Sequence, residues 1–295
     1  MVGLAYALVI MIWATTPLAI QWSNTGDGFV FGVTARMWLG GLSAWLLHRV
    51  FVGRLPMTSA ARGTYAVAAL SLFTAMMFTY WAARHIPSGW LSLVFGLSPI
   101  MTGVFASFWL GEQAFSPLRI VGMLSGLAGL ALVFYAGGRL GEQSAVGIAA
   151  AFVGMSLYAV GGVWVKRLNP GLSGLSLASG SLLFAAPLYL LAWLASGEGM
   201  PRVMPAVMPW AIAYLALFGS AFGFSLYFFL LRELSATRVA MITLLTPVLA
   251  LLLGHLLNHE PVGPGVVAGA GLILGGLLIY ESACFRTRRT AQAVA

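Results

Sequence analysis

Charge is scarce in this chain. Only 7% of its 295 residues are Asp, Glu, Lys or Arg, against about 25% in soluble domains, so polar side chains could not cover a water-facing surface. Acidic residues number seven against fifteen basic ones. None of the seven falls in the middle of an apolar run, which leaves no visible proton relay through a buried acid. Cysteine occurs once, at Cys284, so an intramolecular disulfide, a Cys-based zinc cluster and a CxxC redox pair are excluded. No GxxxxGK[ST] motif is present, so neither an ATP site nor a cofactor is expected. The basic residues stand singly or in pairs between apolar runs, with no phosphate-binding stripe, and nucleic acid is not expected as a partner.

What the chain does have is apolar length: 60% of its residues are hydrophobic, and a lipid bilayer is the expected surrounding. A hydrocarbon core about 30 Å thick takes about 20 apolar residues at 1.5 Å each. Such stretches follow one another over 3–22, 30–48, 64–83, 90–110, 118–136, 146–165, 175–195, 209–230, 239–257 and 264–281, and predict an all-α integral membrane protein of ten transmembrane helices. The first run is too long for a signal-peptide core and has no Lys or Arg before it, so it reads as a retained helix. With the N-terminus inside, Arg49, Arg54, Arg62, Arg119, Lys166, Arg167, Arg232, Arg238, Arg286, Arg288 and Arg289 are cytoplasmic. That leaves Arg36, Arg84, Arg139 and Arg202 opposite. Basic residues resist translocation, so this asymmetry places both termini in the cytoplasm and accounts for the basic charge.

The sequence repeats itself. An offset of 148 aligns Arg84 with Arg232, Pro99 with Pro247 and Glu112 with Glu260, and an offset of 145 pairs Trp13 with Tyr158, Ala14 with Ala159 and Ile20 with Val165. Helices 1 to 5 (residues 1–137) thus correspond to helices 6 to 10 (145–282), followed by a basic cytoplasmic tail at 283–295. Five is odd, so the second copy enters the membrane from the other side. Inverted repeats of this kind support alternating access, with the substrate near the midplane between the halves.

Ten helices, a Trp-x-x-x-Pro pattern from Trp13 to Pro17, Arg36 opening the second helix, and Pro99 followed by Gly111-Glu112 closing the fourth together resemble the EamA-type family of the drug/metabolite transporter superfamily. The resemblance covers essentially the whole chain. It departs in the second copy, where His259 replaces the Gly before Glu260 and Gly180 stands near the position of Arg36. The resemblance implies export of small metabolites, commonly amino acids and related amphipathic compounds, across a bacterial inner membrane. An uncoupled facilitator or exchanger of the same fold is the alternative, with a membrane-embedded enzyme more remote.

Individual residues follow from these patterns. Pro99 and Pro247 each lack the N–H that would bond four residues back, at Phe95 and Thr243. Preceded by Ser98 and Thr246, they are expected to flank the substrate cavity and act, with Pro17, as bending points. Arg36 lies about 10 Å into its helix at 1.5 Å per residue. A cost of roughly 2.5 to 3.5 kcal/mol on insertion scales requires it to face the interior or to snorkel, and a substrate carboxylate is the functional expectation. Trp13, Tyr80 and Tyr158 belong to helices that line the cavity in the family, and they bring aromatic faces beside Thr16 and Gln21. Glu112 and Glu260 end equivalent helices and are expected to cap neighbours or to pair with Arg119 and Arg84.

Gly122 with Gly126, Gly265 with Gly269 and Gly271 with Gly275 predict close packing of helices 5 and 10 as scaffold or at a homo-oligomer contact. His255, His259 and Glu260 do not form HExxH, so no metal is expected. Gly171, Leu172, Ser173 and Gly174 match the short GxSG pattern of intramembrane serine proteases, but no membrane-embedded histidine is clearly on that side, and an enzyme is not expected.

Overall fold

In lipid, backbone N–H and C=O groups must find their partners within the chain, which turns apolar runs into helices. The computed structural model describes residues 1–24, 28–111, 116–138, 142–168, 171–201, 203–244 and 246–294. Its regular structure is helical throughout those residues: α1 (Val2–Ser23), α2 (Val30–Phe51), α3 (Ser59–Ala82), α4 (Ser88–Phe95), α5 (Ser98–Leu110), α6 (Pro117–Gly138), α7 (Glu142–Leu168), α8 (Gly174–Ser196), α9 (Val207–Tyr214), α10 (Gly223–Glu233), α11 (Ala236–Ala240), α12 (Thr246–Asn258) and α13 (Pro264–Val294). A π-helical segment, Leu215–Phe222, joins α9 to α10, and a 3-10 turn, Met241–Leu244, follows α11. Seven helical stretches are long and apolar enough to cross a bilayer, α4–α5 and α9–α10 each counting as one, and 117–133, 246–258 and 264–280 are shorter apolar helices.

The fourth and ninth apolar runs are not the continuous helices that hydropathy suggests. The fourth breaks at Gly96 and Leu97, and Pro99 sits in the first turn of α5, where a missing N–H leaves no helical bond unmade. Pro247 takes the same place in α12, after the 3-10 turn. The two breaks meet in space. A Cβ added at Gly96 would stand 3.2 Å from Cγ of Pro247, so glycine there lets one break pack on the other. Pro17 and Pro187, by contrast, lie inside helices that continue through them.

α6 and α13 pack on each other through glycine. A Cβ at Gly122 would lie 2.5 Å from the Gly276 carbonyl oxygen, and one at Gly129 would lie 2.6 Å from that of Gly269. Small residues let backbones approach this closely, so Gly122 and Gly269 act within the chain. Gly271 and Gly275 face open space.

Candidate functional site

The helix breaks open a cavity of about 590 Å³, part of it open to the surroundings, between α1, α2, α3, α4, α7, the π segment, α10 and the start of α12. Trp13, Thr16, Pro17, Arg36, Tyr158 and Thr246 are on its wall. Tyr80 is not, but its hydroxyl accepts a hydrogen bond from Nη1 of Arg36 at 3.4 Å, and its ring lies 5.8 Å from the guanidinium carbon. Thr16 donates its hydroxyl proton to the Ile12 carbonyl at 2.7 Å, so it presents oxygen lone pairs to the cavity.

Arg36 is 2% exposed, and the snorkelling alternative therefore fails: the side chain turns into the protein. Nε donates to Ser220 Oγ at 3.0 Å. Ser220 comes from the π segment, and the lack of a side chain at Gly219 beside it leaves the Nη2 edge uncovered, where a Cβ would crowd it at 3.3 Å. Hydroxyls and one aromatic face hold the guanidinium, and among the described residues no carboxylate touches it. Its charge is buried without an ionic partner among the described residues, an arrangement that costs free energy until an anion arrives.

A second cavity, about 290 Å³, lies against the first, with Trp13 and Tyr158 on both walls and Ser98 and Tyr227 on the second. Trp13, Tyr158 and Tyr227 pack ring to ring at centroid distances of 5.3 to 6.0 Å. The smaller cavity uses the repeat equivalents of the larger one. At the offsets of 145 and 148, its Gly162 falls on Pro17, its Ala240 on Ser92, its Tyr227 on Thr79 and its Ser98 on Thr246. The order also reverses along the chain. The broken helix α4–α5 meets the larger cavity first (Leu91, Ser92) and the smaller one second (Ser98, Thr102), whereas the α11–α12 run meets the smaller first (Ala236, Ala240) and the larger second (Thr246).

Each cavity is flanked by a polar contact at an equivalent place. Nε2 of Gln21 donates to the Ile86 carbonyl at 2.9 Å, just before α4. Lys166, which falls on Gln21 at the offset of 145, donates through Nζ to the Leu234 and Leu231 carbonyls at 2.6 and 2.7 Å, just before α11. Around Gln21 the contacts extend further. Asn258 donates to Gln21 Oε1 at 3.0 Å and to Glu260 at 3.1 Å, while Glu260 accepts from Ser88 Oγ at 2.7 Å and from the Gly89 amide at 3.1 Å. Glu260 thus caps α4, where a carboxylate meets unpaired N–H groups and the positive end of the helix dipole, and it does so in place of a pairing with Arg84.

The description of the EamA-like transporter family matches this chain twice, over residues 1–135 and 145–281, one match to each set of equivalent positions. The chain belongs to that family. This EamA-like protein is 26% identical over 214 residues to an uncharacterized transporter of Bacillus subtilis (strain 168), YvbV, spanning 72% of this chain and 67% of that one. A solved structure titled "Crystal structure of protein" superposes with a TM-score of 0.71 at 22% identity, over 95% of this chain and 96% of the other. That likeness concerns the fold.

Two further patterns in this family member resolve structurally. His255 uses Nδ1 against the Glu260 backbone carbonyl at 3.0 Å, and among the described residues no cluster of three metal-ligating side chains occurs. Ser173 caps α8 through the Ser176 amide, yet a histidine is close after all: Nε2 of His48 lies 2.9 Å from Ser176 Oγ, which lies 2.8 Å from Ser173 Oγ. None of the three lines either cavity, and the Ser173 oxygen is engaged in capping. Glu112 lies outside the described residues. Sequence reasoning missed Ser220, Asn258 and Glu198, the last of which caps α2 at the Val30 amide, 2.9 Å away; a Gly-Ser pair inside an apolar run was the one available signal for Ser220.

Proposed function

We propose that this multi-pass membrane protein is a secondary transporter that exports small organic metabolites across a bacterial inner membrane by alternating access. Ten spans form two inverted five-helix halves with both termini in the cytoplasm. The reversed order in which α4–α5 and α11–α12 meet the two cavities supports the inversion, and inverted halves allow the two cavities to exchange widths. The observation that carries the reading is Arg36, buried at 2% exposure on the wall of the larger cavity with no carboxylate beside it among the described residues. The guanidinium holds the anionic group of the cargo, Trp13 and Tyr158 cover its apolar part, and Ser98 and Thr246 offer hydroxyls on either side. Pro99 and Pro247, at the ends of breaks that touch, mark where the half-helices bend.

The deciding experiment overproduces the protein and compares small molecules outside the cells by untargeted mass spectrometry, with Arg36→Ala at matched membrane abundance. A metabolite enriched by wild type alone supports export through the Arg36 site. Profiles equal to those of empty-vector cells reject export, and uptake or uncoupled exchange then moves ahead; dependence of flux on an imposed pH gradient separates coupled from uncoupled transport.

A further inference from the structure

We infer that the cargo carries one negative charge and no positive one: a monocarboxylate or similar organic monoanion with an apolar body, rather than a zwitterion, a dianion or a cation. This rests on the reading of Arg36 as the anion site and narrows what that site takes. The walls themselves carry little charge. Among the described residues that line the two cavities, Arg36 is the single ionised side chain. The acids among the described side chains that might neutralise a second, positive group are committed elsewhere: Glu198 to the Val30 and Phe31 amides of α2, Glu260 to the Ser88 hydroxyl and Gly89 amide of α4, and Glu233 to Arg232 at 2.7 Å.

A monoanion seated on the open Nη2 edge leaves the cavity electrically neutral. A zwitterion satisfies Arg36 with its carboxylate and strands its ammonium among Trp13, Tyr158, Thr79 and Thr246, where ring faces and hydroxyls replace a full counter-charge only in part. A dianion strands its second charge in the same way, and a cation meets the guanidinium as a like charge. The apolar body is read from the same cavity, which Trp13, Met76, Leu91, Phe95, Tyr158 and Phe224 line together with Arg36.

A charge series on one body tests this. The purified full chain in lipid nanodiscs is titrated at pH 7.5 with 3-phenylpropionate, L-phenylalanine, phenylsuccinate and 2-phenylethylamine, with affinities read by calorimetry. The expected result is 3-phenylpropionate binding at least about tenfold more tightly than the other three, a difference of about 1.4 kcal/mol, with that preference lost in Arg36→Ala. Ser220→Ala, which keeps the guanidinium but removes its Nε anchor, should weaken 3-phenylpropionate about threefold and leave 2-phenylethylamine unchanged; it also serves if Arg36→Ala does not fold. L-Phenylalanine, phenylsuccinate or 2-phenylethylamine binding as tightly as 3-phenylpropionate overturns the single-charge rule. If that binding is still lost in Arg36→Ala, the anion site itself stands. Binding of 3-phenylpropionate that ignores both substitutions, or no binding of any of the four, overturns the Arg36 site as well.

Discussion

The two cavities are built from matching positions of the repeat, and they differ in charge and in width. The larger holds Arg36 and measures about 590 Å³ with its open part, and the smaller, about 290 Å³ measured the same way, holds no ionised group among the described residues. Packing explains why the charge was not duplicated. Gly180, near the position corresponding to Arg36, lies directly against the ring of Tyr65, which is fully buried, so the second half has no room for any side chain there. The polar contacts that flank the two cavities also differ: a neutral amide, Gln21, beside the charged one, and an ammonium, Lys166, beside the neutral one. Duplication supplied the frame, and local packing decided which copy could carry a charge.

Forcing the halves to match should have the largest effect. Gly180→Arg drives a side chain into Tyr65, an overpacking far beyond the one to three kcal/mol that a few added methylenes cost, and folded protein should vanish from size-exclusion profiles of detergent extracts. A normal profile would show that the site has space after all. Next comes the cap on α4. Glu260→Ala removes a charged acceptor from Ser88 and Gly89 and should lower unfolding stability by about 1.5 to 3 kcal/mol, with Glu260→Gln losing roughly half of that, measured by thermal unfolding. An equal loss on Glu112→Ala would extend the equivalence to the other half; no loss would confine it to this one.

The contacts at Gln21 and Lys166 should give smaller and opposite effects. In a Cys284→Ser background, Gln21→Ala should speed labelling of Ser92→Cys in the larger cavity by a membrane-impermeant thiol reagent, and Lys166→Ala should do so for Ser98→Cys in the smaller. The change should be roughly three- to tenfold, the worth of one hydrogen bond. Both substitutions opening the same cavity would break the comparison. The smallest difference concerns the hydroxyls. Thr246→Ala, on the charged side, should weaken binding of 3-phenylpropionate about two- to threefold, and Ser98→Ala should change it less than twofold, the lower end of what a single hydroxyl contributes.

Much of this was legible in the sequence because it is local or periodic. Apolar run length located the helices, the offsets of 145 and 148 located the repeat, and membrane depth singled out Arg36. Trp13, Thr16, Arg36, Tyr158 and Thr246 came together on one wall, with Ser98 on the other and Tyr80 bound to Arg36 from behind. What was not legible depends on partners far apart in the chain. Ser220 meets Arg36 across 184 positions and Asn258 meets Gln21 across 237, and neither distance leaves a trace in composition or spacing. The breaks in the fourth and ninth runs were half visible. Proline marked where each falls, but hydropathy is blind to whether a helix bends or stops, because both keep the same apolar residues in lipid.

The π segment sets the angular phase of everything after it. A π turn accommodates an extra residue within a helix, and each residue of an α-helix turns the chain by about 100°. Ser220 inside Leu215–Phe222 and Tyr227 in α10 point where they do because of that count. Deleting one residue from the segment would therefore act as a quarter-turn of a shaft: Tyr227 would swing off Tyr158 while Ser220 left Arg36, so the aromatic cluster and the anion site would lose alignment together, in a single step.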